Sequence, residues 1–199
     1  MKLQSIIITL LASTFCLSTG FSSDYANEEP AMSPEMIKAM ELMAPNEKHR
    51  ILEQFVGDWI YTGTFRMPHD APAQNMTGTM KNTIVYGGRF LKQVIEGPWM
   101  DSPFEGLGFT GYDNVRKEYV TIWLDNMATG IMASSGDYDA STKTLNLKGE
   151  HSCAMSGEKN RSYRSEWTIL DENRSVYKSF TLDPNGEEYI SMEIKYTRK

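Results

Sequence analysis

The chain has 199 residues and a formal net charge of −6, which is the size of one domain with a substantial core. The acidic balance argues against nucleic acid and anionic membranes as partners, because both repel a negatively charged surface. Length and charge therefore exclude a basic nucleic-acid-binding protein, but they do not identify a function.

Residues 1–22 are predicted to be a secretory signal peptide. Lys2 provides the positive charge, an apolar run follows from Ile6 to Leu17, and small residues come next. The apolar run has about 12 residues, against roughly 20 in a helix that spans a bilayer, so no membrane span is expected. Cleavage would leave the protein in the periplasm or outside the cell. It would also leave Cys153 without a second cysteine for an internal disulfide.

Residues 23–45 are predicted to form a linker followed by an amphipathic helix. Ser33 and Pro34 indicate the helix start, because a hydroxyl cap followed by proline is typical of a first turn. Apolar residues then recur on one face at helical spacing. Asn46 is expected to cap a second short helix that reaches Phe55.

Residues 46–199 are predicted to form a single β domain. Runs rich in Thr, Tyr, Val, Ile and Phe alternate with turn signals such as Asp183–Gly186. The predicted strands lie near 58–66, 77–86, 88–96, 105–113, 118–125, 130–138, 143–151, 161–170, 174–182 and 188–197. Short connections favour an up-and-down meander, and closing it into a barrel removes two vulnerable edges. The expected fold is all-β: a closed antiparallel up-and-down barrel of about ten strands, preceded by one or two short helices.

Alternation of apolar and polar residues predicts which side chains face the lumen of this barrel. On the last strand, the inward-facing residues are expected to be Ile190, Met192, Ile194 and Tyr196. On strand 143–151 they are Leu145, Leu147, Gly149 and His151, and on strand 161–170 they are Tyr163, Ser165, Trp167 and Ile169. Strand 118–125 is apolar on both faces. Its outer face is therefore expected to be covered by the N-terminal helices or by a second subunit, which leaves a homodimer open.

The segment Gly57-Asp58-Trp59 resembles the Gly-x-Trp entry of lipocalins and related barrels. In those proteins the tryptophan closes one end of the barrel, and a basic residue on the final strand commonly stacks on its indole. The resemblance implies this role for Arg198, which continues the inward parity of Tyr196. The glycine allows the chain to turn from helix to strand.

A longer series of motifs, from about Glu47 to Lys199, resembles the bacterial domain-of-unknown-function family 1579 (DUF1579). The motifs are GGRFL at Gly87–Leu91, PFEGLG at Pro103–Gly108, GYDN at Gly111–Asn114 and WLDNM at Trp123–Met127. The resemblance implies a calycin-type barrel and no particular activity. The domain is also distantly similar to nitrobindin-like haem barrels, which hold haem through a histidine near the C-terminus. No histidine follows His151, so neither haem nor another cofactor is expected.

Aromatic and polar residues of the barrel suggest a ligand site in its lumen. The predicted ligand-binding residues are Trp123, Asp125, His151, Tyr163, Trp167 and Tyr189, with His151 and Asp125 as polar handles. A small apolar or aromatic molecule is the expected partner. No metal site is predicted, because zinc-type Cys/His spacing is missing and the methionines are typical core fillers.

Three functions remain open from the sequence. The first is an exported barrel that binds a small, partly apolar ligand. The second is an enzyme that uses His151 with Asp125 or Glu105 as acid and base. The third is a structural or interaction protein whose barrel is filled with side chains. A cavity with convergent polar groups would favour the first two, and a hydrogen bond between His151 and a carboxylate would favour the enzyme.

Overall fold

The computed structural model describes residues 32–99 and 102–199. The predicted signal peptide and most of the predicted linker lie outside the described residues. The helices are α1 (Pro34–Met43) and α2 (Glu47–Arg50), and α2 continues into a 3₁₀ turn at Ile51–Phe55. The strands are β1 (Gly57–Phe65), β2 (Gln74–Val85), β3 (Phe90–Trp99), β4 (Ser102–Asp113), β5 (Glu118–Asp125), β6 (Met132–Asp139), β7 (Thr144–His151), β8 (Arg161–Asp171), β9 (Arg174–Leu182) and β10 (Glu188–Arg198). Across the described ranges, no helix is long and apolar enough to cross a membrane.

The ten strands close into one antiparallel barrel in chain order. Each strand pairs with the next, and β1 also pairs with β10, with Tyr61 opposite Tyr196. Closure pairs both ends of the meander and so protects them from edge-to-edge association. The predicted fold class and strand number are confirmed. The β3–β4 hairpin is longer than predicted, because Pro98 and Pro103, which sequence rules place outside strands, lie opposite each other near its tip.

The 3₁₀ turn and Trp59 close one end of the barrel. Phe55 is fully buried, and its carbonyl oxygen accepts hydrogen bonds from Trp59 Nε1 at 3.1 Å and from Asn82 Nδ2 at 2.8 Å. Asn46 caps α2 as expected, in a capping box completed by His49. The capping box and the two bonds to Phe55 together fix the path of the chain into β1.

Arg198 lies on the outer side of this closure. Its guanidinium carbon is 4.2 Å from the centre of the Trp59 ring, and its N–H groups donate to the carbonyl oxygens of Val56 and Glu172. Gly57 has a φ of +137°, and a Cβ at that position would overlap the Arg198 guanidinium. The glycine is therefore needed both for the backbone turn and for the space that Arg198 occupies.

A β-bulge in β10 corrects one predicted facing. The register with β9 shifts between Ile190 and Met192, and the bulge inverts the alternation on its N-terminal side. Ile190 is 42% exposed whereas Ser191 is 5% exposed, so the prediction that Ile190 faces the lumen is wrong. Tyr189 faces inward instead, opposite the buried Thr181 of β9.

The outer face of β5 is not covered by the N-terminal helices. Ile122 and Leu124 are 42% and 37% exposed, and no residue of α1 is buried. Hydrogen bonds from Arg89 and Asn114 to carbonyl oxygens at the C-terminal end of α1 hold this helix beside the β2–β3 and β4–β5 turns. The expectation that the helices cover β5 is therefore wrong, and a homodimer stays a prediction.

Candidate ligand-binding site

The inward-facing side chains divide the barrel into two halves that differ in packing. The plug half is defined by Leu52, Phe55, Trp59, Tyr61, Met80, Leu91, Tyr119, Leu145, Trp167 and Tyr196, each at most 6% exposed. The open half is defined by Trp123, Met132, Ser134, His151, Tyr163, Ser179, Tyr189 and Met192, all partly exposed. The open-half side chains point into the lumen and keep accessible surface, so this half is less completely buried than the plug half.

A layer of hydroxyl groups lies between the two halves. Tyr177 of β9 lies opposite Trp167 of β8, and Ser165 lies opposite Ser179 two residues further along the same pair of strands. Burial raises the pKa of Tyr177 to about 12, so this phenol stays neutral at any physiological pH. The layer forms a neutral polar floor beneath the open half.

Trp123 lies along the wall of the open half because two glycines make room for its ring. A Cβ on Gly106 would overlap the six-membered ring, and a Cβ on Gly108 would lie 3.0 Å from Cε3. The indole Nε1 donates to Asp125 Oδ2 at 2.8 Å, and Asp125 Oδ1 accepts from the backbone N–H of Met127 at 2.9 Å. Asp125, which was predicted to bond the ligand, therefore fixes the orientation of the Trp123 ring.

His151 and Tyr163 meet edge to face, with ring centres 5.5 Å apart. Burial raises the pKa of Tyr163. Burial, together with the positive charge of Arg161, lowers the pKa of His151, so its imidazole is mainly neutral at pH 7. The Nδ1 atom of His151 is buried without a hydrogen-bond partner in the described part of the chain.

Arg161 also belongs to the open half, although it is not among the ligand-binding residues predicted from the sequence. It begins β8 and extends the inward row that contains Tyr163. Its Nε donates to Thr181 Oγ1 at 3.2 Å, and its Nη2 donates to the Leu182 carbonyl oxygen at 2.9 Å. The signal was present in the sequence, because Arg161 shares the parity of Tyr163, but a charged residue at a strand end is usually assigned to solvent.

Tyr189 completes this side of the open half. Its ring lies edge-on to His69, at 6.0 Å between ring centres. Its hydroxyl is buried and has no hydrogen-bond partner within the described ranges. Burial raises the pKa of Tyr189, so the hydroxyl keeps its proton. Tyr189 and His151 thus each carry a buried polar atom without a partner among the described residues, and such an atom costs about 1–3 kcal/mol until something bonds it.

Trp167 lies in the plug half, away from the other predicted ligand residues. Its ring centre is 4.1 Å from that of Phe55, and its Nε1 donates to Ser175 Oγ at 3.3 Å. Parity correctly predicted that Trp167 and Tyr163 share a face of β8. Alternation does not show how far along the barrel a side chain lies, however. Trp167 and Tyr163 are four residues apart, which is about 13 Å along a strand.

The acid–base alternative would require His151 to be bonded to a carboxylate. The carboxylate of Asp125 is bonded to Trp123 and Met127, and Glu105 is exposed on the outward face of β4. The described residues provide no carboxylate partner for His151 Nδ1 and no group of three or more His, Cys, Asp or Glu placed to hold a metal. The side chains of the open half are instead mainly aromatic, with a few polar groups among them.

Comparison with known proteins identifies a family for the chain and supports its fold. A family model described as "Protein of unknown function (DUF1579)" matches residues 44–198. A search of curated proteins finds no match. Among solved structures, the chain is similar to the crystal structure of Rv2717c from M. tuberculosis, with a TM-score of 0.59 and 13% identity over 78% of this chain and 99% of that chain. At this identity the likeness supports the barrel fold alone.

Proposed function

We propose that this protein is exported and binds a small, partly apolar molecule in the open half of its barrel. The chain belongs to the DUF1579 family of proteins of unknown function. The observation that carries the proposal is the contrast between the two halves. Large side chains fill the plug half, whereas the open half presents partly exposed rings next to buried polar atoms that have no partner in the described part of the chain. Apolar walls with a few polar groups are typical of small-molecule sites.

The apolar wall of the proposed site is centred on Trp123. Met132 is its register partner on β6, and Met192 faces the lumen from β10. Methionine side chains adapt to irregular shapes and make favourable contacts with rings. A ligand that lies against Trp123 would therefore gain contact area at this wall, and its polar end would reach toward His151 and Tyr189.

The first experiment is a fluorescence titration of the mature protein with decanoate, decanol, menadione and 1-naphthoate. Binding is expected to change the tryptophan emission, and the change should be largely lost in Trp123→Phe. Trp167→Phe is the matched control, because Trp167 lies in the plug half and its replacement should keep the response. If no compound changes either the emission or the thermal midpoint of the wild-type protein, the binding proposal is wrong.

A second experiment locates the site by filling the lumen. Ser134 points into the open half beside Gly149, whereas its neighbour Ser135 points outward. Ser134→Phe is expected to abolish binding of the compounds found in the first titration, because the ring would occupy the lumen. Ser135→Phe places the same ring on the outer surface and should leave binding intact. Normal binding by Ser134→Phe would place the site elsewhere.

Export is supported by the sequence pattern of residues 1–22 and is tested separately. The protein is expressed from its natural gene start, the cells are fractionated, and the intact mass is measured. A shortened protein in the periplasm or the medium is expected. A full-length mass confined to the cytoplasm would contradict export without affecting the binding proposal.

A further inference from the structure

One corner of the open half gathers polar groups from four successive strands. His151 on β7 lies opposite Arg161 on β8, and Thr181 on β9 lies opposite Tyr189 on β10. The 3.2 Å bond from Arg161 to Thr181 joins the two pairs. These four residues are named the Arg161 corner.

The positive charge of Arg161 is incompletely balanced at this corner. Its side chain is 17% exposed, and the carboxylate bridged to it, that of Glu158, is 3.6 Å away and 55% exposed. Its other bonds go to the Thr181 hydroxyl, the Leu182 carbonyl oxygen and, at 3.8 Å, the Cys153 sulfur. A largely buried guanidinium that is paired, within the described residues, with one water-facing carboxylate at 3.6 Å can still accept a further anion.

The acidic groups of the nearby rim do not supply that anion. Asp183 accepts hydrogen bonds from the backbone N–H groups of Asn185 and Glu187, which keeps its carboxylate in the β9–β10 turn. Asp70 is exposed in the loop between β1 and β2. Among the described residues, Arg161 is therefore the positive group at this corner, with the Glu158 carboxylate and the Cys153 thiol beside it.

Two unpartnered groups sit at the same corner as this charge. The Tyr189 hydroxyl and the His151 Nδ1 are both buried without partners in the described ranges. A phenol donates one hydrogen bond, an imidazole donates from one nitrogen when neutral and from both when protonated, and a guanidinium donates up to five. A group with two acceptor oxygens and a negative charge can accept from Arg161, Tyr189 and His151 at once.

We propose that the open half binds a molecule that carries a carboxylate, with the carboxylate at the Arg161 corner and the apolar part along Trp123. The inference rests on the proposed function, because it names the chemical class of the ligand for the same site. A neutral alcohol would satisfy the Tyr189 hydroxyl but would leave the Arg161 charge as it is, so the two classes are predicted to differ in affinity.

The test compares decanoate with decanol, which share a ten-carbon chain and differ in the head group, by calorimetric titration of the mature protein. Decanoate is expected to bind at least about tenfold more tightly than decanol, as for one charge-assisted interaction. Tyr189→Phe removes a hydroxyl that bonds nothing in the described structure, so it should fold normally. It should weaken decanoate binding about tenfold and decanol binding by less, because the hydrogen bond from Tyr189 to a carboxylate is charge-assisted and the one to an alcohol is not.

Arg161→Gln should also abolish the preference for decanoate, and Arg164→Gln is its matched control. Arg164 is on the same strand but faces outward, where it binds Glu166 and Glu188. If decanol binds as tightly as decanoate and Tyr189→Phe changes neither affinity, the carboxylate inference is overturned while the binding proposal stands. If neither probe nor any other compound of the panel binds, the proposed function itself fails.

Discussion

The plug half and the open half are built from the same ten strands, yet they treat buried polar groups differently. In the plug half, the indole N–H groups of Trp59 and Trp167 and the hydroxyl of Tyr119 all donate hydrogen bonds within the protein. In the open half, buried atoms of His151 and Tyr189 have no partner among the described residues. A core that serves stability satisfies its polar groups, so the difference indicates where another molecule is expected to bind.

Asn82 qualifies this comparison without reversing it. Its Oδ1 is a buried atom of the plug half without a partner in the described ranges. Its Nδ2, however, donates to the Phe55 carbonyl oxygen at 2.8 Å, so the side chain is anchored. The comparison therefore predicts that replacements in the plug half mainly reduce stability, whereas replacements in the open half mainly alter binding.

The largest loss of stability is expected from Trp59→Ala. Removing this fully buried ring should lower the free energy of unfolding by about 3–5 kcal/mol, because the cavity at the closure cannot collapse. Urea unfolding followed by circular dichroism measures the change. Trp99→Ala is the matched control, since Trp99 packs against Phe65 near the opposite rim and is partly exposed. Equal losses for the two variants would contradict the division of the barrel into two halves.

Arg198→Met is expected to have the next largest effect. The methionine keeps apolar contact with Trp59 but removes the cation–π contact and the hydrogen bonds to two carbonyl oxygens. The free energy of unfolding should fall by about 2–3 kcal/mol, which is typical for charge-assisted bonds in a partly buried site. Lys195→Met is the control, because Lys195 is on the same strand and largely exposed. A loss below that of the control would show that Arg198 does not stabilise the closure.

Gly106→Ala tests the open half by the same measurement, the free energy of unfolding. The added methyl group would overlap the Trp123 ring, so the ring must move. Overpacking costs about 1–2 kcal/mol where neighbours are able to yield, and the accessible lumen allows the indole to do so. The tryptophan emission should change together with the affinity for decanoate. A loss as large as that of Trp59→Ala would mean that the lumen around Trp123 is filled.

The barrel was predictable from sequence because its determinants are local. Strand periodicity and turn residues define ten strands, and the resemblance of Gly57-Asp58-Trp59 to the lipocalin entry indicates which end is closed. The position of the β-bulge was not predictable, because no turn residue marks the segment from Ile190 to Met192. The bulge is seen only in the pairing with β9, and it is what turns Tyr189 into the lumen.

The candidate site was predictable in part, for a related reason. Parity brought His151 and Tyr163 together correctly, because neighbouring strands share their inward face. Parity could not separate Trp167 from them, because depth along a barrel depends on strand tilt and register. Parity put Arg161 in the same inward row as Tyr163, but it could not show that the guanidinium bonds Thr181, because that bond depends on β9, whose residues are far away in sequence.

The smallest expected effect concerns pH and compares two histidines, one in each half. Burial is the main cause that lowers the pKa of His49 beside the plug and of His151 in the open half. Their pKa values in the unfolded chain are near 6.5, so the unfolded state binds more protons than the folded state in the window just below that pH. The free energy of unfolding is therefore expected to fall as the pH is lowered from about 6.5, and to be constant above it as far as these groups contribute.

Two variants separate these contributions. His49→Gln keeps a residue suited to the capping box of α2. His151→Gln leaves the plug half untouched. Each variant should reduce the dependence of the unfolding free energy on pH. Saturating decanoate provides the discriminating measurement, because a bound carboxylate favours protonated His151 but lies far from His49. With decanoate, the slope that remains in His49→Gln should shrink or reverse, whereas the slope in His151→Gln should not change. Identical responses in the two variants would mean that decanoate does not bind beside His151.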